Sequence, residues 1–432
     1  MKKLKKRKLI AALLCVLFAI MLAACGGGSN GGDGGSDGNA DAAADREEIL
    51  VGFAAPLTGP LAIFMAPTPW VETLCLDYIN NELGGIEIDG KKLPVRVIYA
   101  DTESDSNKAV EAATKLVTEN KVDILVGAWT PVGTNTVSAV GERYSVPTFS
   151  FGAPEESWLE GGPYEWSMGM QFNYDKLCTD VVNMWDKLDT NKKVGFVFDT
   201  DVDGTVGRET YTRLLEGTDY EIFDPGAYTI GNNDFTSMIS KLKDAGCDIV
   251  CADMITPDFT IFWKQCYQYG YVPKVCTINK GMHYEDLVEN LGGGTGNGLT
   301  FSALWDKNYP FSSSLLGMTC MEIADKWEAE NEGFYPYSIG YDVAMYDIFH
   351  DALSRAGTLD KEAVRQAILD TNIDTVFGNL SFNGNRCMQV PAIGTQWVPG
   401  DKFEFDKVVV ASDTFPAIPA HEPFIIPGTT QN

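Results

Sequence analysis

Ile49-Leu50-Val51-Gly52-Phe53-Ala54-Ala55-Pro56-Leu57-Thr58-Gly59-Pro60-Leu61-Ala62 opens the patterned part of this 432-residue chain. The run Ile49–Ala54 carries no polar side chain, which predicts a strand buried on both faces rather than one with a solvated side. A helix from about Pro69 to Leu83 follows. Its Val71, Leu74, Cys75, Tyr78 and Ile79 recur at the three-to-four spacing of one core-facing stripe. Gly84-Gly85 stops it.

The alternation continues outward from there. Strands are predicted at Leu93–Ala100, Asp123–Gly127 and Pro147–Phe151, with helices at Ser106–Asn120, capped by Ser106, and from about Val132 to Tyr144. The pattern then restarts, with strands at Lys192–Phe198, Asp248–Met254, Lys274–Ile278 and Leu299–Ala303. Helices at Gly204–Glu216, Phe235–Ala245 and Pro257–Gly270 separate the first three of these. Short strands divided by helices of this length imply an α/β fold, with parallel sheets and helices on both faces. The restart implies two similar halves without a sequence repeat.

Ahead of the fold, Lys2, Lys3, Lys5, Lys6, Arg7 and Lys8 precede an uncharged apolar run, Leu9–Leu22, and then Ala23-Ala24-Cys25. A basic segment, a short apolar segment and small residues make an export signal, and the run is short of the ~20 residues that span a bilayer. The ending resembles the lipobox of bacterial lipoproteins, in which Cys25 receives a lipid and becomes the mature N-terminus. Residues 1–24 are thus expected to be removed. Residues 25–46, almost all Gly, Ser, Asn, Asp and Ala, form a flexible tether of roughly 25 Å r.m.s. span. The expected location is the cell envelope, on the outer face of the cytoplasmic membrane and held by the lipid.

Six of the 33 basic residues and none of the 60 acidic ones lie in residues 1–24, so the remaining chain carries a formal charge of −33. Such a surface repels nucleic acid and anionic headgroups. Of ten cysteines, eight remain besides Cys15 and Cys25, none at C-x-x-C spacing, so no zinc or redox centre is indicated. Cys247, Cys251, Cys266 and Cys276 fall on neighbouring elements, where they either pair after export or act as small buried apolar residues; buried thiols are the expectation.

Several segments together resemble a known family over about residues 48–410. Val51–Ala62 resembles the family's first strand and ligand-side loop. Asp77-Tyr78-Ile79-Asn80-Asn81-Glu82-Leu83-Gly84-Gly85-Ile86 resembles its helix ending in Asn and paired glycines. Asp123–Gly127, Ser145–Ser150 and Thr375–Phe382 follow in the family's order. The family is that of type I substrate-binding proteins of ABC importers, nearest to the leucine/isoleucine/valine-binding group. The resemblance implies lobe 1 from 47–168 plus 304–377, and lobe 2 from 169–303 plus 378–412. Crossings are expected near 168–170, 301–304 and 377–381, and a Pro-rich tail at 413–432. It also implies a monomer without cofactor that closes on a small-molecule ligand by hinge motion and delivers it to ABC permease subunits.

Carried over position by position, the resemblance places Phe64, Trp129, Thr130, Gly152, Ala153, Asp203, Ile255 and Lys280 at the ligand. Several amino-acid contacts of the family are replaced. Pro131 stands where a serine is usual, Pro154 where a threonine is usual, and Lys280 where an acid meets an ammonium group. An anionic ligand would gain Lys280; an ammonium ligand would lose its acid there and gain Asp203. Lys280 as a surface lysine and Asp203 as a turn residue are the structural alternatives. The expected ligand is a small amphipathic organic molecule: a branched-chain or related amino acid, an amide or a carboxylate.

An enzyme is not expected. The three histidines, His283, His350 and His421, accompany no G-x-S-x-G, H-E-x-x-H or phosphate-loop motif. The rival reading is a ligand-sensing lipoprotein that acts on a separate signalling partner. Receptors that signal by themselves usually carry a downstream membrane span and signalling domain, and the sequence shows no second apolar run of 18 residues, so import is the expectation.

Overall fold

A computed structural model describes residues 46–388 and 390–421. The signal, Cys25 and nearly all of the tether lie outside the described residues. Two large sheets form the body. The first runs, edge to edge, 372–375, 378–383, 386–388, 167–172, 148–154, 124–128, 49–55, 95–101; the second runs 405–411, 393–399, 300–303, 275–278, 249–253, 193–198, 221–223. From 167–172 to 95–101, and from 300–303 to 221–223, every pairing is parallel.

The opening strand shows why. Val51 and Phe53 pack into the large core with Val71 and Cys75 of the helix Thr68–Asp77, while Ala54 and Leu125 pack on the other side with Leu116 and Val137. Burial of both faces is what the unbroken apolar run requires. The chain continues past Asp77 as a wider turn, Tyr78–Glu82, and ends at Gly84 and Gly85, both with positive φ. The helix Ser106–Thr118 is capped by Asp105, whose carboxylate accepts from the backbone of Asn107 (2.8 Å) and Lys108 (3.0 Å), and not by Ser106.

Two crossings lie elsewhere than the sequence suggested. Residues 168–170 are inside the strand Ser167–Phe172, so the first crossing follows Phe172. Residues 378–388 belong to the first sheet, and the third crossing falls between Met388 and Ile393. The reason is two tight turns, one ending at Gly378 (φ +87) and one at Gly384 (φ +59), which fold the segment into an antiparallel meander. The Asn385 carbonyl then accepts from Gly169 N (2.8 Å) and locks it beside 167–172. The second crossing follows Ala303.

Cys75, Cys178, Cys247, Cys251, Cys266, Cys276 and Cys320 are all buried free thiols. The described part of the tail packs on the second lobe: Thr414 donates to Asp180 from its N–H (3.1 Å) and hydroxyl (2.6 Å), and Ile418 is buried. Among the described residues no helix is long and apolar enough to cross a membrane.

Candidate functional site: an interlobe cavity

In each sheet the strand order reverses once. In the first this happens between 49–55 and 124–128, and in the second between 193–198 and 249–253. Loops leave a sheet in opposite directions at such a point and open a crevice at the carboxyl ends of the strands. The two crevices share one cavity with about 560 Å³ of atom-free space including its mouth, lined by Phe64, Trp129, Thr130 and Gly152 from one lobe and Asp203, Asp253 and Lys280 from the other. The lobes meet beside it: Tyr337 of the first sets its ring edge against His283 of the second at 5.0 Å, and Tyr284 Oη lies 3.4 Å from Ser338 Oγ.

Trp129 forms the first-lobe wall. It follows the strand Ile124–Ala128 in an unusual backbone state (φ +57, ψ 124), and Thr130 after it is also left-handed (φ +58). Two such residues in succession, one of them β-branched, are strained and persist only where packing imposes them. The packing is visible. Phe64 stacks on the indole at 5.5 Å, while Phe151 and Tyr337 meet it edge-on at 5.5 and 5.9 Å. Gly152 (φ +84) lies under the ring, where a Cβ would stand 2.4 Å from Cε3. Trp129 is 2% exposed, and its Nε1, like the Thr130 hydroxyl, is buried without a hydrogen-bond partner.

The second-lobe wall is charged. Asp199, Asp201 and Asp203 follow the strand Lys193–Phe198, Asp253 ends the strand Ile249–Asp253, and Lys280 follows Val275–Ile278. Lys280 Nζ donates to Asp199 (3.1 Å), Asp203 (3.0 Å) and Asp201, with Asp253 Oδ1 3.7 Å away. Its three N–H bonds are therefore all engaged, and the side chain is 7% exposed. Lys280 is a buried counter-ion, neither a surface lysine nor a donor waiting for an anionic ligand.

Burial works against the Lys280 ammonium, but the four surrounding aspartates hold its pKa well above the ordinary value. Burial lifts Asp253 to about 7 and Asp203 to about 6, with the Lys280 charge opposing the rise in both. Asp253 Oδ2 accepts from Tyr174 Oη at 2.9 Å, while Oδ1 has no hydrogen-bond partner. His283 lines the cavity as neutral imidazole, because burial and then the Lys407 charge push its pKa down to about 3.

Six of the eight sequence-derived ligand positions converge here; Ala153 and Ile255 do not. The Ala153 N–H donates to Gln171 Oε1 (2.8 Å), away from the cavity, and the Ile255 carbonyl accepts from Phe259 at the start of the helix Thr256–Gln268. Asp253, Tyr174, Phe172 and Tyr337 join the lining unforeseen. For Asp253 a signal existed, a lone acid at the carboxyl end of an apolar strand. For Tyr337 there was none. Among the described residues no group of His, Cys, Asp and Glu has the arrangement of a metal site.

A family model described as "Periplasmic binding protein" matches residues 48–400. The chain belongs to this family. Its members are substrate-binding proteins, and the two-lobed type I architecture is theirs. The Leu/Ile/Val-binding protein homolog 7 of Brucella abortus (strain 2308) is 23% identical over 371 residues, 82% of this chain and 90% of the relative. Among solved structures, the branched-chain amino acid transporter substrate-binding protein LivJ of Streptococcus pneumoniae, in complex with isoleucine, superposes with a TM-score of 0.71 at 19% identity, over 84% of this chain and 99% of LivJ. A solute-binding protein of Rhodopseudomonas palustris BisB5, in complex with 3,4-dihydroxybenzoic acid, superposes with a TM-score of 0.68 at 16% identity, over 85% and 97%.

Proposed function

We propose that this protein is the exported, lipid-anchored binding component of an ABC importer. It captures a small amphipathic organic molecule between its lobes and hands it to a permease when the hinge closes. The observation that carries this is the shared cavity, to which one lobe contributes the Trp129 wall and the other the Asp203–Asp253–Lys280 cluster. A ligand touching both walls favours the closed arrangement by its differential contacts, which is the signal a permease reads. Lipidation at Cys25 keeps the carrier beside that permease, and the acidic surface argues against nucleic acid as a partner.

Neighbouring structures with isoleucine and with dihydroxybenzoic acid support small organic ligands as a class and leave the choice to this chain's own lining. A thermal-shift screen of amino acids, amines, amides and carboxylates tests the reading. Saturation at 100 times the dissociation constant adds about 2.7 kcal/mol, a shift that is easily resolved. Cys25→Ser should release the protein from the membrane fraction and leave affinity unchanged; affinity lost with the anchor would contradict the separation of tether from cavity.

A further inference from the structure

The cavity's charge is unbalanced. Asp199, Asp201, Asp203 and Asp253 surround one ammonium, Lys280, whose N–H bonds are all engaged. Asp203 and Asp253 nevertheless line the cavity, and Asp253, 2% exposed, keeps Oδ1 without a hydrogen-bond partner. An anionic group placed here would meet surplus carboxylate and no available cation, because among the described residues no Arg and no other Lys lines the cavity. A buried acceptor left unmatched is costly, and a donor carrying positive charge is its strongest complement.

Among the described residues the opposite wall offers a carboxylate no cation. Pro131 and Pro154 have no N–H, and the N–H of Ala153 is taken by Gln171. What remains near the indole is neutral: the Trp129 Nε1–H and the Thr130 hydroxyl, both buried and without partners. The rings of Phe64, Trp129, Phe172 and Tyr337 supply apolar faces, which also attract an organic cation.

We propose that the ligand is an organic amine lacking a carboxylate, its ammonium seated against Asp253 and Asp203 and its apolar body against Trp129 and Phe64. This rests on the interlobe cavity being the ligand site. It departs from an amino-acid ligand, for which an ammonium and a carboxylate must both be met.

Calorimetric titration of the full chain at pH 7.5 with two matched series tests it: isoamylamine, leucine, isoamyl alcohol and isovalerate; and phenethylamine, phenylalanine, 2-phenylethanol and 3-phenylpropionate. The amine of at least one series should bind at least tenfold more tightly than its amino acid and its alcohol, with no binding of the acid. Asp253→Asn, and separately Asp203→Asn, should weaken the amine at least tenfold. An amino acid or acid that binds as well as the amine overturns the proposal, as does failure of both amines to bind. If those competitors bind and Trp129→Ala abolishes it, the cavity reading survives while the amine falls. If amine affinity is the same in Asp253→Asn and Trp129→Ala as in the parent, both readings fall.

Discussion

The six-membered ring of Trp129 lies directly on Gly152, so closely that a Cβ at 152 would stand 2.4 Å from Cε3. A glycine is needed there twice over, for the contact and for its φ of +84. Gly152→Ala should therefore displace the indole and cost about 1–3 kcal/mol. Near-UV circular dichroism and denaturant unfolding read the two effects. An unchanged tryptophan spectrum would show that the ring is not held as described.

Lys280 is the counter-ion of four aspartates, two of which, Asp203 and Asp253, line the cavity. Lys280→Met leaves those carboxylates buried without their counter-ion and should cost about 3–5 kcal/mol at pH 8. The deficit should shrink towards pH 6, because protonation of Asp253 and Asp203 relieves the repulsion. Unfolding curves at both pH values check this; a deficit independent of pH would contradict it.

Burial lifts Asp253, Asp342 and Asp347 to about 7 and Asp203 to about 6. Around Asp253 stand Asp199, Asp201, Asp203, Lys280 and Tyr174; Glu72 and Thr68 stand by Asp342, and Ser313 by Asp347. A carboxyl raised on folding holds its proton more tightly in the native state. Its contribution is complete below the unfolded pKa and is lost as pH rises through the folded one. Stability should thus decline from pH 5 to about 7.5, less steeply below about pH 6.5, where His283, held neutral by folding, acts in the opposite sense. Below pH 5 carboxylates such as Glu48 and Asp101, whose pKa values folding lowers, act in the opposite sense. Guanidinium midpoints across this range provide the check, and a rise would contradict it.

A second buried ion pair links the second crossing to the second lobe. Lys407 Nζ, on the strand Phe405–Ala411, lies 3.3 Å from Asp306 Oδ2 on the second crossing, and Tyr335 Oη donates to the same carboxylate at 2.9 Å. Both charged side chains are at most 1% exposed. Asp306→Ala should cost about 3–5 kcal/mol, whereas adding Lys407→Met should recover part of the loss. A double variant less stable than Asp306→Ala alone would show that the pair is not the main interaction of Lys407.

What could be read in the sequence was whatever local pattern determines. Ile49–Ala54 and Val275–Ile278 are buried strands because every side chain in them is apolar or small, and that is visible residue by residue. Trp129 was legible in part: a large ring after a buried strand lies over either the crevice or the lobe edge, and the structure puts it in the cavity lining. The meander at 372–388 was not legible, because a turn at Gly378 and a crossing at Gly378 need the same residues. Nor was the state of Lys280. Its partners come from two other strand ends, 77 to 81 positions away for the three it donates to, and only the assembled sheet shows that its bonds are filled. Ala153 misled because the group that takes its N–H, Gln171, sits 18 residues further on in the adjacent strand.

In the proposed function one ligand bridges the two walls. A crystal structure of the protein saturated with the compound that most raises its melting temperature tests it directly. That compound should lie enclosed between Trp129 and Asp253, touching both lobes. A compound bound outside the cavity, or held by one lobe with Asp253 still unmatched, would contradict it.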